Sequence, residues 1–294
     1  MSQAEPLTRI HQLLAQQASL RPDATFLHEE GGGTSTYAQF WQRVQHAAAW
    51  LESQGVRPGH RVLIAGENCA AMIAALYACS MAGAWPVGVN ARLSAREVDA
   101  IREHAQPQLL LYTGGISAAA AAHAARAGAL DADPEVWGPG VQAASAGSPT
   151  QPETGAAAAE VATVIYTSGT TGAPKGVLVP HRGLLHFARV SAASRRLTPQ
   201  DISYAALPMS HIFGIATVLM ATVHAGASLV LRSRFDAADA FKALAHPGVS
   251  ILQGVPTMFS RMMAVALPRD QLRAPALRYL YTGGAALDPT LKRD

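Results

Sequence analysis

Short apolar runs alternate with helix-patterned segments along most of the chain, and this alternation restricts the fold more than any other feature. In the first half the apolar runs cover 61–66, 84–90 and 108–113. Runs of this length and composition predict buried strands.

Helical patterns lie between these runs. Apolar residues recur at helical spacing over 38–53, Asn68 is placed to cap a helix over 69–82, and Ser94–Glu97 is a capping box that opens a third helix. Strands that alternate with helices predict parallel βαβ units, and therefore an α/β layer fold.

The second half repeats this layout. Strands are predicted within 161–167, 177–180, 201–208, 228–233, 249–254 and 277–282, and helices within 181–194, 213–226, 236–248 and 256–267. Between the halves, the segment 117–160 is rich in alanine and then in Gly, Pro and Ser. We interpret it as a surface helix followed by a variable surface loop, because the alternation resumes directly after it.

The composition is that of a globular protein with a substantial core. The 294 residues are 49% hydrophobic and 15% charged, and the formal net charge is +3. Lysine and arginine are scattered without a basic block, so no nucleic-acid partner is predicted. A small positive balance is compatible with anionic small molecules but does not select them.

The chain shows no sign of export or of membrane insertion. The first residues contain early charge and no apolar signal core, and no run approaches the roughly 18 apolar residues of a membrane span. Cys69 and Cys79 fit no metal or redox spacing, so we interpret them as buried, reduced thiols of a cytoplasmic protein.

The segment "YTSGTTGAPKGV" at 166–177 carries the clearest chemistry. Glycines let a backbone approach phosphate oxygens, hydroxyls donate to them, and a lysine supplies charge. The hydroxyls and the charge would come from Thr167, Ser168, Thr170, Thr171 and Lys175, and the turns from Gly169, Gly172 and Gly176. The lysine follows a proline and precedes a strand-like run, so this is a strand–loop–strand and not a P-loop. A flexible Gly/Thr hairpin is the alternative.

This segment resembles the signature of the AMP-forming adenylating enzymes, which include acyl- and aryl-CoA synthetases. Five further segments resemble the same family in the same order: "RPDATFLHEEGGGTSTYAQFWQRVQHAAAWLESQGVRPGHRVLIAGEN", "MAGAWPVGVNARLSAREV", "LPMSHIFG", "GVPTMF" and "YTGGAAL". The resemblance runs from about residue 7 to the end of the chain. It implies two similar layered α/β subdomains of the large domain of these enzymes.

The resemblance also implies roles for individual residues. The loop residues Thr167, Ser168, Gly169, Thr170, Thr171, Gly172 and Lys175 would close over the β- and γ-phosphates of ATP. His211 would gate the substrate near its carboxylate, although a polar loop histidine is the alternative. Gly283, Gly284 and Ala285 would form the adenine-side turn. An acyl pocket would be lined by Phe213, Val255, Pro256, Met258 and Phe259, or these residues would simply be core.

The implied reaction is the attack of a carboxylate on the α-phosphate of ATP, helped by Mg²⁺, followed by transfer of the acyl group to coenzyme A. A fatty or aryl acid is the expected substrate, because no aspartate is placed to meet a substrate amine. A carrier protein is the alternative acceptor. No residue of the chain is assigned as a metal ligand.

Several family elements are not found in the sequence. The glutamate segment that helps to hold Mg²⁺, the ribose-binding aspartate and the small C-terminal domain with its lysine do not follow "GGAAL", and Lys292 has the wrong context. We therefore expect a truncated large domain that binds ATP weakly or not at all and makes little acyl-CoA alone. A non-catalytic nucleotide- or acyl-binding fragment is the competing hypothesis.

The expected organisation has three parts. Residues 1–49 would pack with the second subdomain, residues 50–190 would form the first subdomain with the phosphate loop, and residues 191–294 would form the second, incomplete subdomain. Unpaired strands at its end are predicted to favour association or aggregation, a homo-oligomer included.

Overall fold

The structure is a computed structural model that describes residues 6–147, 150–167, 174–246, 248–265 and 273–288. Its strands, in chain order, are β1 (Thr25–His28), β2 (Thr34–Thr36), β3 (Arg61–Gly66), β4 (Trp85–Asn90), β5 (Leu109–Tyr112), β6 (Leu130–Asp131), β7 (Gln142–Ser145), β8 (Val161–Thr167), β9 (Lys175–Pro180), β10 (Ile202–Ala205), β11 (Ser228–Leu231), β12 (Ile251–Gly254) and β13 (Tyr279–Thr282).

The helices pack around these strands. They are α1 (Ile10–Leu20), α2 (Tyr37–Ser53), α3 (Ala70–Ala82), α4 (Ala95–Ala105), α5 (Ala118–Arg126), α6 (Pro134–Trp137), α7 (Ala156–Ala159), α8 (His181–Ser194), a π-helix (Phe213–Met220), α9 (Ala221–Ala225), α10 (Ala237–Ala245) and α11 (Pro256–Met263).

A seven-stranded sheet has the spatial order β6-β7-β5-β3-β4-β8-β9. Its centre is parallel: β3 pairs with β4 and β5, and β4 pairs with β8. All six residues of β3 are buried, as a strand covered on both faces requires. The prediction of parallel βαβ units is therefore confirmed in this half of the chain.

A six-stranded sheet has the order β13-β12-β10-β11-β1-β2 and is parallel except for the edge strand β2. The N-terminal segment reaches this sheet through β1, where Leu27 pairs with Leu229 of β11. The Tyr37 hydroxyl donates to the Ala227 carbonyl over 2.6 Å, and the Ser228 hydroxyl donates to the Thr25 carbonyl over 2.6 Å. These bonds anchor the first 40 residues or so to strands that lie near residue 230 in the sequence.

One hydrophobic cluster joins the two sheets. It takes buried side chains from β3, β5 and β8 of the first sheet and from β10 and β11 of the second. Helix α3 adds residues 70–79 to this cluster, and every residue of the helix except Met81 is buried, which is the pattern of a helix surrounded by protein. The two sheets therefore share one hydrophobic core.

The segment predicted to be a variable loop is partly strand. Strand β7 pairs antiparallel with β5, and β6 pairs with β7, so this segment extends the seven-stranded sheet at one edge. The prediction of a loop over 142–145 was wrong because β5 would otherwise leave its backbone groups unpaired. The predicted surface helix is present as α5.

The apolar helix predicted over 213–226 ends at Gly226 as expected, but its first two turns are a π-helix, in which bonds span five residues. The Thr217 hydroxyl donates to the Phe213 carbonyl over 2.7 Å, and the Gln253 side-chain amide donates to the Thr217 carbonyl over 3.1 Å. Both bonds satisfy carbonyls of the widened helix.

Both cysteines are free thiols as predicted, but the prediction of burial holds for Cys79 alone. Cys79 is buried, Cys69 is partly buried and both are free. Burial raises the pKa of the Cys79 thiol, so it stays protonated and unreactive. None of the helices in the described part of the chain is both long and apolar enough to span a bilayer.

We expect the protein to lose stability in acid because of two histidines, His11 in the first turn of α1 and His181 at the start of α8. Burial, helped by the nearby Arg9 cation, lowers the pKa of both His11 and His181 from 6.5 to about 4. The His181 Nδ1 accepts from the Ile10 N–H over 3.4 Å, a bond that protonation of this nitrogen would break.

Because the unfolded chain takes up these protons first, this stability is complete above pH 6.5 and is lost as the pH falls toward 4. We expect the free energy of unfolding, measured with urea, to be roughly 2–4 kcal/mol lower at pH 5 than at pH 7 through this pair, since each histidine contributes at most about 2 kcal/mol and solvent screening reduces that figure. His181→Asn should shrink the difference, whereas His46→Asn, at an exposed position, should not. An unchanged pH dependence in His181→Asn would contradict the assignment.

Candidate functional site

A cavity of about 680 Å³ lies between the two sheets, at the carboxyl ends of their parallel strands. One wall comes from the ends of β4 and β8 and from α4, and the other from the segments that follow β10, β12 and β13. Open α/β sheets bind ligands at this edge. Five of the predicted site residues line the cavity: Thr167, His211, Phe213, Val255 and Gly284.

His211 lies in the segment that joins β10 to the π-helix. Its imidazole is exposed, and its Nδ1 accepts a hydrogen bond from the Phe213 N–H over 3.2 Å. In the neutral ring the proton therefore resides on Nε2, which makes this nitrogen a donor. The backbone N–H of His211 donates to the Pro208 carbonyl over 3.1 Å and closes a tight turn.

Gly214 allows this turn to pack against the π-helix. An ideal Cβ on Gly214 would lie 2.3 Å from the Pro208 carbonyl oxygen and 2.9 Å from that of Leu207. Both are backbone atoms and have no rotamer through which to move away. The turn that presents His211 therefore requires a residue without a side chain at position 214.

Gly214→Ala is accordingly expected to lower the free energy of unfolding by about 1–3 kcal/mol, the usual range for overpacking. Urea denaturation measures this loss. Gly183→Ala is the matched control, because its new Cβ would meet nothing closer than 3.4 Å on α8, where alanine favours the helix. Equal stability of the two variants would contradict the packing argument.

The ends of the phosphate loop face each other across a hairpin. Strands β8 and β9 are antiparallel, and Thr167 pairs with Lys175 at the last step of their ladder. This confirms the predicted strand–loop–strand setting, since a strand rather than a helix follows the lysine. The predicted loop residues Ser168, Gly169, Thr170, Thr171 and Gly172 lie outside the described residues.

The glycine turn after β13 closes the opposite side of the cavity. The Gly283 N–H donates to the Gly254 carbonyl over 3.2 Å, and Gly284 has φ +78°, a conformation that favours glycine. A Cβ on Gly284 would lie 3.4 Å from Val255 and 3.5 Å from the Phe213 ring. The turn therefore presents bare backbone beside an aromatic ring, and Ala285 follows it at the exposed surface.

The five residues predicted to form an acyl pocket separate into two groups. Phe213 and Val255 line the cavity. Pro256 is buried in the first turn of α11, and Met258 packs against the shared core. Phe259 lies in a separate hydrophobic cluster of the second sheet. The positions of Pro256, Met258 and Phe259 match the alternative interpretation, in which apolar residues at helical spacing belong to the core.

Sequence reasoning missed the wall that α4 and the end of β4 provide. Asn90, Leu93, Glu97, Ala100 and Ile101 all line the cavity. The Glu97 carboxylate accepts from both the N–H and the hydroxyl of Ser94, and these bonds lower its pKa. The capping box was visible in the sequence, but nothing local indicated that its glutamate borders a cavity.

Tyr166 belongs to the phosphate-loop motif, but the sequence predicted no role for it. Its ring borders the same cavity, and its hydroxyl lies 2.7 Å from Nδ1 of His104 on α4. This contact ties the carboxyl end of β8 to the missed wall.

Asn68, predicted to cap α3, does not do so. Cys69 is the N-cap residue and makes no side-chain capping bond. The Asn68 amide instead bonds to the backbone that follows β10 in the other sheet. The prediction was wrong because the local sequence does not show that this tertiary partner lies within reach.

Comparison with known proteins places these features in a family. The family model described as AMP-binding enzyme matches residues 14–294. Feruloyl-CoA synthase of Amycolatopsis sp is 30% identical over 282 residues, which are 94% of this chain and 54% of that protein. The long-chain-fatty-acid–CoA ligase FadD13 of Mycobacterium tuberculosis is 30% identical over 95% of this chain and 56% of its own length.

A solved structure supports the same assignment. The inhibitor-bound N-terminal domain of FACL13 from Mycobacterium tuberculosis superposes with a TM-score of 0.80 at 28% identity, over 98% of this chain and 72% of that one. The chain spans about half the length of the curated relatives it matches. By its family model, its motifs and its fold, the chain belongs to the AMP-binding enzymes, the adenylate-forming family that its phosphate-loop signature predicted.

Proposed function

We propose that this chain acts in the ATP-dependent activation of a carboxylic acid, in which an acyl-adenylate forms and its acyl group passes to coenzyme A. The observation that carries the proposal is the cavity at which the end of the phosphate loop, His211 and the glycine turn meet. Relatives whose names describe CoA ligases of feruloyl and long-chain fatty acyl groups support it.

ATP would lie across the mouth of the cavity. The loop from Thr167 to Gly172, together with Lys175, would surround the β- and γ-phosphates with backbone N–H groups, hydroxyls and one positive charge. Gly283, Gly284 and Ala285 would receive the adenine, because a turn without side chains leaves room for a planar ring beside Phe213.

The acid would enter with its carboxylate toward His211. A carboxylate oxygen would attack the α-phosphorus, the bond to the β-phosphate oxygen would break, and pyrophosphate would leave with the electron pair. Both reactants are anionic, so fixed donors are needed where negative charge develops. The Nε2–H of His211 would be such a donor, with its tautomer set by the bond at Nδ1.

The apolar part of the cavity favours an acid with a hydrocarbon or aromatic tail. Leu93, Ile101, Phe213 and Val255 supply apolar lining. We therefore propose a fatty or aryl acid as the substrate class, and coenzyme A, with a carrier protein as the alternative, as the thiol acceptor. We infer a cytoplasmic location from this soluble chemistry.

Mg²⁺ would enter on the phosphates of ATP and neutralise part of their charge, as it commonly does with few protein ligands. Among the described residues no group of three His, Cys, Asp or Glu side chains could hold a metal.

The proposal is tested by acid-dependent pyrophosphate release from ATP by the purified chain, with a panel of fatty and aryl acids. Binding of acyl-sulfamoyl adenosines, which mimic the acyl-adenylate, is measured in parallel by thermal shift. We expect slow release that depends on the acid, and stabilisation by mimics with apolar acyl groups. Neither release nor stabilisation with any member of the panel would overturn the proposal.

A further inference from the structure

We propose that Asn68 is a positioning residue for the acid-activation step, and that it sets the place of His211 relative to the phosphate loop. The inference rests on the proposed function for its chemical meaning. The contacts that carry it can be tested without that function.

Asn68 uses both ends of its amide on one segment of backbone. Its Nδ2 donates to the Leu207 carbonyl over 2.9 Å and to the Ala205 carbonyl over 3.4 Å, and its Oδ1 accepts from the Met209 N–H over 2.7 Å. The side chain is 3% exposed, so water does not compete for these bonds. The last of them ends two residues before His211.

These bonds join the two sheets. Asn68 follows β3 in the seven-stranded sheet, whereas the segment it holds leaves β10 in the six-stranded sheet. Because Thr167 ends β8, two strands from β3 in the same sheet, Asn68 ties the His211 turn to the sheet that carries the phosphate loop. Its role is thus to fix the position of one half of the site relative to the other.

The segment meets the same sheet at a second place. Gly88 of β4 lies so close to the turn that an ideal Cβ there would be 3.0 Å from Cα of Ser210. The segment is therefore in close contact with the Asn68 amide at Met209, with the β4 backbone at Ser210 and with Gly214 at Pro208. A shift at Asn68 would be transmitted to His211, because the turn has little room for local adjustment.

Asparagine is the side chain this place requires. It offers one donor group and one acceptor at the separation of alternating backbone groups. Aspartate has the same shape but no donor, and it would set a carboxylate against two carbonyl oxygens. Asn68→Asp thus removes the donor and adds a buried charge, whereas Asn68→Ala removes both polar groups without adding a charge. A role in hydrogen bonding predicts that both variants release the segment.

The first test is hydrogen–deuterium exchange of the full chain, read at peptides that cover 205–212. In both Asn68→Asp and Asn68→Ala we expect the protection factor of the Met209 amide to fall at least about tenfold, because local opening becomes easier. Thr222→Val is the matched control, since it removes another buried side-chain hydrogen bond, to Ser203, outside this segment. Unchanged protection in folded Asn68→Asp and Asn68→Ala would overturn the inference.

The second test is kinetic. Misplacement of His211 is expected to slow acid-dependent pyrophosphate release by about 10- to 100-fold and to raise the KM for the acid, with little change in the KM for ATP. An Asn68→Asp variant as active as the parent would overturn the inference while the proposed function stands. If the parent releases no pyrophosphate with any acid, the proposed function fails, and the exchange experiment still decides whether Asn68 holds the turn.

Discussion

Alanine in place of His211 is expected to slow acid-dependent pyrophosphate release by about 100-fold at saturating ATP, the effect of losing one fixed donor in a transition state. That factor corresponds to about 2.7 kcal/mol of transition-state stabilisation. The reason lies in the geometry: Nδ1 is already bonded to the Phe213 N–H, so Nε2 is the nitrogen that can donate toward the reacting anion.

Two features make this experiment decisive. His211 is exposed, so its removal creates no core cavity and the fold should persist. His186→Ala is the matched control, because His186 is an exposed histidine on α8, outside the cavity lining. A His211→Ala variant that keeps the parental rate with the preferred acid would remove His211 from the proposed mechanism.

Alanine in place of Asp201 is expected to lower the free energy of unfolding by about 3–5 kcal/mol, the range for breaking a buried, fully bonded charge. The Asp201 carboxylate is 2% exposed. It accepts from Arg278 Nη1 over 2.9 Å, from the Ser250 hydroxyl over 2.7 Å and from the Thr198 N–H over 2.8 Å. These partners precede the strands β10, β12 and β13, which the carboxylate therefore holds together at their amino ends.

Urea denaturation compares this variant with Asp99→Ala. Asp99 meets Arg126 over 2.7 Å, but both side chains are about half exposed, so its loss should cost no more than about 1 kcal/mol. Asp201→Asn serves if the alanine variant does not fold, since it keeps the shape and loses the charge. Equal losses for Asp201→Ala and Asp99→Ala would show that burial of the carboxylate is unimportant.

Much of the fold was accessible from the sequence because the strands are short, apolar and separated by clear turn residues. The strands β3, β4, β8 and β13 lie where their apolar runs predicted them. Strand β7 was missed because "QAAS" has no apolar alternation, and only the open edge of β5 makes it a strand. The π-helix was missed because an apolar run does not show whether the backbone hydrogen bonds span four residues, as in an α-helix, or five, as in a π-helix.

The site was accessible where a short motif carries several groups at once. Thr167, His211 and Gly284 meet at one cavity although more than 100 residues separate the first from the last. The part that α4 plays in the cavity wall and the bonds of Asn68 to the segment after β10 could not be predicted from the sequence. Both depend on which element of the other sheet lies opposite. Phe259 has the apolarity of a pocket residue and the spacing of a core residue, and the sequence alone cannot separate these.

The π-helix that begins at Phe213 has a consequence for the divergence of enzymes built on this plan. A π-helix holds one more residue in each hydrogen-bonded loop than an α-helix. Deletion of a single residue within 215–219 would let the segment return to α-helical bonding and turn Phe213 by about 100° relative to the shared core. Homologues that differ by one residue of length at this point would thus present different side chains to the cavity. A change in the shape of the cavity would require no substitution among the residues that line it.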